Sequence, residues 1–402
     1  MLQIEKEGDS WRITGAVDLG EAVNNARICK QGEKKVQMAN HVLQFLFYGT
    51  TGFCWPVAYF ATTTADSGEL ALLFWEAVEK LDDYGFTVDY LMTDGASQNR
   101  GLFNLLCNGN ARQAGYSCVD FFDITHKIYL VQDPKHCLKK IRNSIESSRL
   151  ANTGRKRKLC KDGNCIVWDH WIQAHNFNQS LGITKHAKLT SDHIYLTNEL
   201  KMRNHLAEQV LNRDMLLLMK TYQQSLPLEK RQAIDSSIEL LEMTSELVDI
   251  FMDETRQVKT STNDTLKRAS DVLQYFLAWE NSTPDHKKNI CLITKESRED
   301  LQSCIQGFLA VSQLCMSLDA PLKPGIFNSD IIENFFCQQR GIVHGLNTNP
   351  TVAQYGPGVN SIILGQGSVS KKGNAGKSTL SLKSIKPNVV LNKTKKVKTM
   401  RF

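Results

Sequence analysis

The feature that most constrains this chain is a change of hydrophobic period near residue 146. Before it, short apolar runs alternate with helical spacing. Trp11, Ile13, Ala16-Val17 and Leu19 form one run. Val42 to Tyr48 and Phe53 to Phe60 form two more, joined by Gly49-Thr50-Thr51-Gly52, a hairpin connection. Residues 10 to 60 therefore read as strands. Pro56 has no amide donor, which puts its strand at an edge or a bulge. Leu70, Phe74, Ala77 and Leu81 recur at helical spacing behind Asp66 and Glu69, a capping box. Phe86 to Thr93 reads as a strand that stops at Asp94-Gly95. A short helix follows from Gln98 to Cys107. Lys127 to Val131 reads as a buried strand ending at Asp133-Pro134, and His136 to Ile145 as a basic helix. Such alternation predicts an α/β sheet with helices packed on it.

From 146 to 325 strand signals vanish. Leu196, Leu200, Leu206 and Val210 mark one amphipathic helix. Leu240, Leu241, Leu247, Val248 and Phe251 mark another. Leu266, Ala269, Val272, Leu273, Phe276 and Leu277 mark a third, and Leu301, Ile305, Phe308 and Leu309 a fourth. This block is predicted to be all-α. A last helix, Asp330 to Arg340, follows Pro324-Gly325. Beyond Gly341 the chain is rich in Gly, Asn, Ser and Lys, and little order is expected past about 365. The reading thus divides the chain at 1–145, 146–325, 326–357 and 366–402.

With 402 residues, 42% hydrophobic and 22% charged, the composition is that of a globular protein of two or three domains. No apolar run approaches the roughly 20 residues of a membrane span. Eleven cysteines without a repeating frame, and no secretory signal pattern, read as reduced thiols. Charge is uneven. Lys and Arg outnumber Asp and Glu by 48 to 42, yet ten of the bases and none of the acids lie past Gln366. The tail, with Lys393-Thr394-Lys395-Lys396-Val397-Lys398, suits a polyanion or a nuclear import receptor; it equally suits a solvated terminus.

Few residues carry a chemical signal. Asp94 ends a strand, where ligands bind in α/β sheets and where a carboxylate can hold Mg²⁺. It can equally cap the next helix or start a turn with Gly95. Asp330 and Glu333 share one face at i and i+3, beside apolar Ile331, Ile332, Phe335 and Phe336. Acids there bind a cation, reach solvent, or simply favour the helix N-terminus. Cys160, Cys165, His170 and His175 are spaced by five. Each step turns about 140° around a helix, so a helix cannot gather them on zinc. Gly373-Asn374-Ala375-Gly376-Lys377-Ser378 looks like a phosphate loop but lacks the earlier Gly and the preceding strand. The basic helix around Lys139 and Lys140 faces either phosphates or solvent.

Taken in order, four stretches resemble the P-element type of DNA transposase, which includes the THAP-domain transposases. They are Ile13-Thr14-Gly15-Ala16-Val17-Asp18-Leu19-Gly20, Leu91-Met92-Thr93-Asp94-Gly95-Ala96-Ser97-Gln98-Asn99, Asp133-Pro134-Lys135-His136-Cys137-Leu138-Lys139-Lys140-Ile141-Arg142-Asn143, and Asp330-Ile331-Ile332-Glu333-Asn334-Phe335-Phe336 with Asn349-Pro350-Thr351. Lys201-Met202 and Leu206 to Val210 fit as well. The resemblance implies a ribonuclease H-like (RNase H-like) mixed sheet interrupted by a large all-α insertion that binds GTP in the P-element enzyme. It implies Asp94 and Glu333 as catalytic Mg²⁺ ligands, and Asp330 close to bound nucleotide. DNA is the implied partner, with the nucleus as the place of action and a homo-oligomer as the assembly.

In the family the first catalytic Asp lies just before a Met, and Met1-Leu2-Gln3-Ile4 resembles the residues immediately after that Asp. The expectation is therefore a chain that begins a residue or two late, without the zinc-binding DNA-recognition domain, and with Asp18 a poor substitute for the missing acid. Mg²⁺-dependent DNA cleavage and strand transfer would then be impaired. The alternative is a non-catalytic DNA- or protein-binding derivative of a transposase.

Overall fold

The structure, a computed structural model, describes residues 3–7, 10–31, 37–49, 52–150, 157–182, 188–253, 255–260, 262–342 and 350–364. The basic tail from 366 and the phosphate-loop-like segment lie outside the described residues.

Strands β1 (Gln3–Glu7) and β2 (Ser10–Thr14) pair antiparallel. The strand expectation for residues 10 to 60 fails next, because Glu21–Gln31 is a helix, α1. Its one deep anchor is Val23, fully buried with Leu19 against Leu73. A single apolar anchor leaves no helical period to read between two strand-like runs. Strands β3 (His41–Tyr48) and β4 (Cys54–Thr62) form the expected hairpin. Phe45 faces Ala58 while Leu46 faces Pro56, so the register slips by one residue at the proline. Helix α2 (Ser67–Asp83) starts at the expected capping box: Glu69 N–H donates to Asp66, and Asp66 N–H to Glu69.

The central sheet has the order β5 (Tyr90–Thr93), β7 (Lys127–Gln132), β6 (Ser117–Val119). β5 runs parallel to β7 and β6 antiparallel to it. β5 is shorter than the apolar run that suggested it. Phe86 instead stacks on Phe53 at 5.6 Å and lies 5.0 Å from Phe47, ring centre to ring centre. Helix α3 (Ser97–Leu106) follows β5. Alternation along β7 decides what covers each face. Ile128 and Leu130 pack with Leu70, Phe74, Leu102 and Phe103 of α2 and α3, while Val131 packs with the helical block.

Helix α4 (Pro134–Glu146) leads from β7 into that block. The block is not wholly α, as expected, because a small hairpin joins β8 (Cys160–Lys161) to β9 (Asn164–Cys165). Two residues per strand leave no period to detect. The main helices are α5 (Trp168–Ser180), α6 (Asn204–Leu211), α7 (Arg213–Ser225), α8 (Asp235–Phe251), α9 (Asp264–Ser282) and α10 (Lys295–Ser317). They share one core centred on Trp168, Trp171, Leu241, Phe251, Trp279 and Phe308. Trp168 and Trp171 stack at 5.6 Å and donate their indole N–H groups to the Ile194 and Val210 carbonyls, each at 2.9 Å. Buried indoles thus keep their hydrogen bonds. No disulfide joins any of the eleven cysteines.

Helix α11 (Asp330–Ile342) is the last helix the sequence announced. A further one, α12 (Val352–Leu364), was not expected in a Gly-rich stretch. Tertiary packing makes it. Tyr355, Val359 and Ile362 cluster with Phe335 of α11 and with Val42 and Leu46 of β3, and Tyr355 Oη donates to Gln44 Oε1 at 3.0 Å. The chain's last described helices therefore return to the β3–β4 hairpin.

α10 lies across β7. Ser303 Oγ donates to the Leu130 carbonyl at 2.7 Å, and a Cβ at Gly307 would sit 2.6 Å from Val131 Cγ2. Only a glycine permits that approach. Gly307→Ala is expected to destabilise the fold by about 1–3 kcal/mol through overpacking, read as a lower denaturant midpoint with an unchanged slope.

Candidate active site

Asp94 follows β5 and Asp133 follows β7. Thr93 and Gln132 are register partners, and Asp133 N–H donates to the Thr93 carbonyl at 2.9 Å. Parallel pairing therefore sets the two acids side by side at the C-terminal ends of adjacent strands. Asp94 is exposed. Its Oδ1 accepts from Ala96 N–H at 2.9 Å and from Asn99 Nδ2 at 2.8 Å. It starts the turn at Gly95, whose φ is +72°; the N-cap of α3 is Ala96.

Glu333 comes to the same end of the sheet from the first turns of α11. Asp133, His136 and Glu333 each offer a ligand atom within 4.8 Å of the others, the single such group among the described residues. Asp133 is almost fully buried. Burial alone would raise its carboxyl, but His136 at 3.1 Å, the Ser329 hydroxyl and the Lys135 N–H hold it below the ordinary carboxylate range. The ionised Asp133 thus fixes the proton on His136 Nδ1. Glu333 behaves oppositely. Burial, then the charge of Asp133, pushes its carboxyl up, and no hydrogen bond holds it among the described residues. A half-buried acid pressed by two other acids is a donor set suited to a hard cation. Asp330 instead pairs with Lys135 Nζ at 2.6 Å, with Glu208 of α6 close by.

The basic face of α4 meets acids rather than open solvent. Lys135 takes Asp330 and Lys140 takes Asp300 at 2.7 Å. Lys139 makes no ion pair among the described residues. Burial lowers its pKa, and the charges of Glu333, Asp133 and Asp94 work against that fall. One side chain thus feels both distant acids. Arg142, fully buried, donates to the Lys201 carbonyl at 2.9 Å, and burial lowers its pKa to about 10.

Other candidates fall elsewhere. Asp18 holds the turn into α1, accepting from Gly20 N–H at 3.1 Å and Asn24 Nδ2 at 2.9 Å. Cys160 and Cys165 face each other across the β8–β9 hairpin, while His170 Nδ1 lies 2.7 Å from Ser237 Oγ. No zinc site forms from them. Asp133, His136 and Lys139 were not singled out as site residues from the sequence. Asp-Pro after a buried strand, with His three residues on, is the signal that could have found two of them.

Fold and site together define a ribonuclease H-like core carrying a helical insertion. The comparisons agree. Residues 2–107 match the family model described as TNP-like, RNase H N-terminal domain. Residues 135–264 match the TNP-like, GTP-binding insertion domain. Together these two TNP-like models cover more than half of the chain, which belongs to that family: an RNase H-like domain followed by a GTP-binding-type insertion. Its fold is similar to that in the Drosophila P element transposase strand transfer complex, with a TM-score of 0.67 over 88% of this chain and 75% of that one, at 16% identity. No curated protein matches the sequence.

His170 gives the helical block a pH signature. Burial lowers its pKa to about 4, whereas the unfolded chain protonates near 6.5. Its contribution is complete above pH 6.5 and is lost as pH falls toward 4, by up to about 1.4 kcal/mol per pH unit. Unfolding free energies at pH 7.5 and 5 are expected to differ less in His170→Gln than in the parent chain.

Proposed function

We propose that this chain acts as a DNA transposase core, with divalent-metal-dependent cleavage and strand transfer at the C-terminal ends of β5 and β7. Glu333 carries the reading: a carboxylate from α11 set beside Asp133 and His136, one strand from Asp94. Asp94 and Glu333 are the proposed Mg²⁺ ligands, with Asp133 and His136 completing the donor set. A bound Mg²⁺ polarises a phosphoryl oxygen and lowers the pKa of its water. The protein's own groups do the positioning. Asn99 and the Ala96 amide fix the Asp94 carboxylate, and Asp133 orients the His136 ring. Lys139, unpaired among the described residues, offers its charge to a DNA phosphate. Asp330, paired with Lys135 next to Glu208, is assigned to the nucleotide side of the GTP-binding insertion. A nuclear place of action and a homo-oligomeric assembly belong to the same proposal.

Slow cleavage is part of it. Asp94 and Asp133 already spend oxygens on protein donors, which leaves Glu333 the least committed acid. Weak Mg²⁺-dependent nicking of DNA is the expected result; vigorous cleavage that disappears in Asp94→Ala would overturn the slow-cleavage claim.

Mn²⁺ titration calorimetry tests the site: Glu333→Gln and Asp94→Ala should each weaken binding at least about tenfold, and unchanged affinity in both would remove the metal reading. Lys139→Ala should weaken DNA binding evenly across sequences and flatten the salt dependence of log K by about one unit.

A further inference from the structure

The Asp94–Gly95 turn is held by residues the metal reading does not use. Lys140 Nζ donates to the Gly95 carbonyl at 3.0 Å and to the Asp94 carbonyl at 3.3 Å. Arg100 Nη1 donates to the same Gly95 carbonyl. Both cations converge on one carboxylate, Asp300 Oδ2, at 2.7 Å from Lys140 and 3.1 Å from Arg100. Asp300 lies on α10, 200 residues from Arg100 in sequence and beyond both matched segments. Its side chain is 1% exposed. A Cβ at Gly95 would collide with Lys140 Nζ and come within 2.9 Å of Asp300 Oδ2, so the turn rests directly on the cluster. Gln132 Oε1, 3.1 Å from that Cβ position, accepts from Thr93 Oγ1 and closes the other side.

We infer that Asp300 is a positioning residue for Asp94: a carboxylate of the helical block that holds the two cations gripping the backbone of the metal-binding turn. Charge supplies the reason. Two cations brought to one carbonyl repel each other, and a buried cation left unpaired is costly. With Asp300 between them they stay, and the turn keeps the shape that points the Asp94 carboxylate at Ala96 and Asn99. The helical block thereby sets the geometry of a ligand on the sheet, and loosening α10 would loosen the metal site. The inference rests on the reading of Asp94 as a metal ligand, and its test separates the two.

The full chain with Asp300→Asn is compared with the parent by hydrogen exchange and Mn²⁺ titration. Expected are about tenfold faster exchange of the amides from Asp94 to Arg100, unchanged protection in β7 and α10, and Mn²⁺ affinity lower by about tenfold. Combined with Asp94→Ala, the change should add nothing further to the metal loss. Ser303→Ala, which removes the α10 bond to Leu130, should leave the exchange of 94–100 as it is. Unaltered exchange in that segment on Asp300→Asn overturns the inference. If Asp94→Ala leaves Mn²⁺ affinity intact, the metal reading fails while the exchange data still judge the coupling. Should Asp300→Asn not fold, Arg100→Leu/Lys140→Met/Asp300→Leu removes the whole cluster without stranding a charge. Faster exchange of 94–100 is again the expected result, and parent-like exchange again the refutation.

Discussion

Everything at the site depends on how strand β7 is held. It pairs with β5 on one edge and β6 on the other, and α10 lies across its face through Ser303 and Gly307. The parallel register with β5 places Asp94 next to Asp133. The continuation of β7 into α4 places His136, Lys139 and Lys140 above them. A slip of one residue in that pairing would turn every β7 side chain to the wrong face. Ile128 and Leu130 would then face the helical block, and the site would come apart with the core.

The same strand joins the sheet to the long helical segment that interrupts it. β7 belongs to two cores at once. One face feeds the α2–α3 cluster and the other the helical block. Charged contacts repeat the join at its margins. Arg112 forms a two-pronged pair with Glu280 of α9, and Asp300 of α10 meets Arg100 and Lys140. Their carboxylates are buried while the cations stay partly exposed, so the pairs weigh more for geometry than for net stability.

Electrostatics sorts the acids at the sheet end into different tasks. Asp133, deep and well bonded, stays ionised and orients His136. Glu333, half-buried beside it, is pushed toward neutrality. Asp330 spends its charge on Lys135. These three acids thus differ because their donors differ, and Glu333 makes no ion pair among the described residues.

Much of this was legible in the chain itself. Hydrophobic period gave the β3–β4 hairpin, α2 with its capping box, β7, and the switch to helices, because each of these buries a repeating face. Asp94 at a strand end and Glu333 on a helix start were legible for the same local reason. Helix α1 and the β8–β9 hairpin were not, since each is anchored by one or two contacts rather than by a period; α12 was not, because Gly356, Pro357 and Gly358 interrupt the spacing of Tyr355, Val359 and Ile362. Nor could the sequence place Asp133 and His136 against Glu333, or Asp300 beneath Gly95. Those meetings span about 200 residues and are decided by strand register and helix packing. Sequence alone determined the strands and helices that bury a repeating face and the acids at their ends; the tertiary structure decided which acids come within reach of one another, because only packing fixes distances between segments remote along the chain.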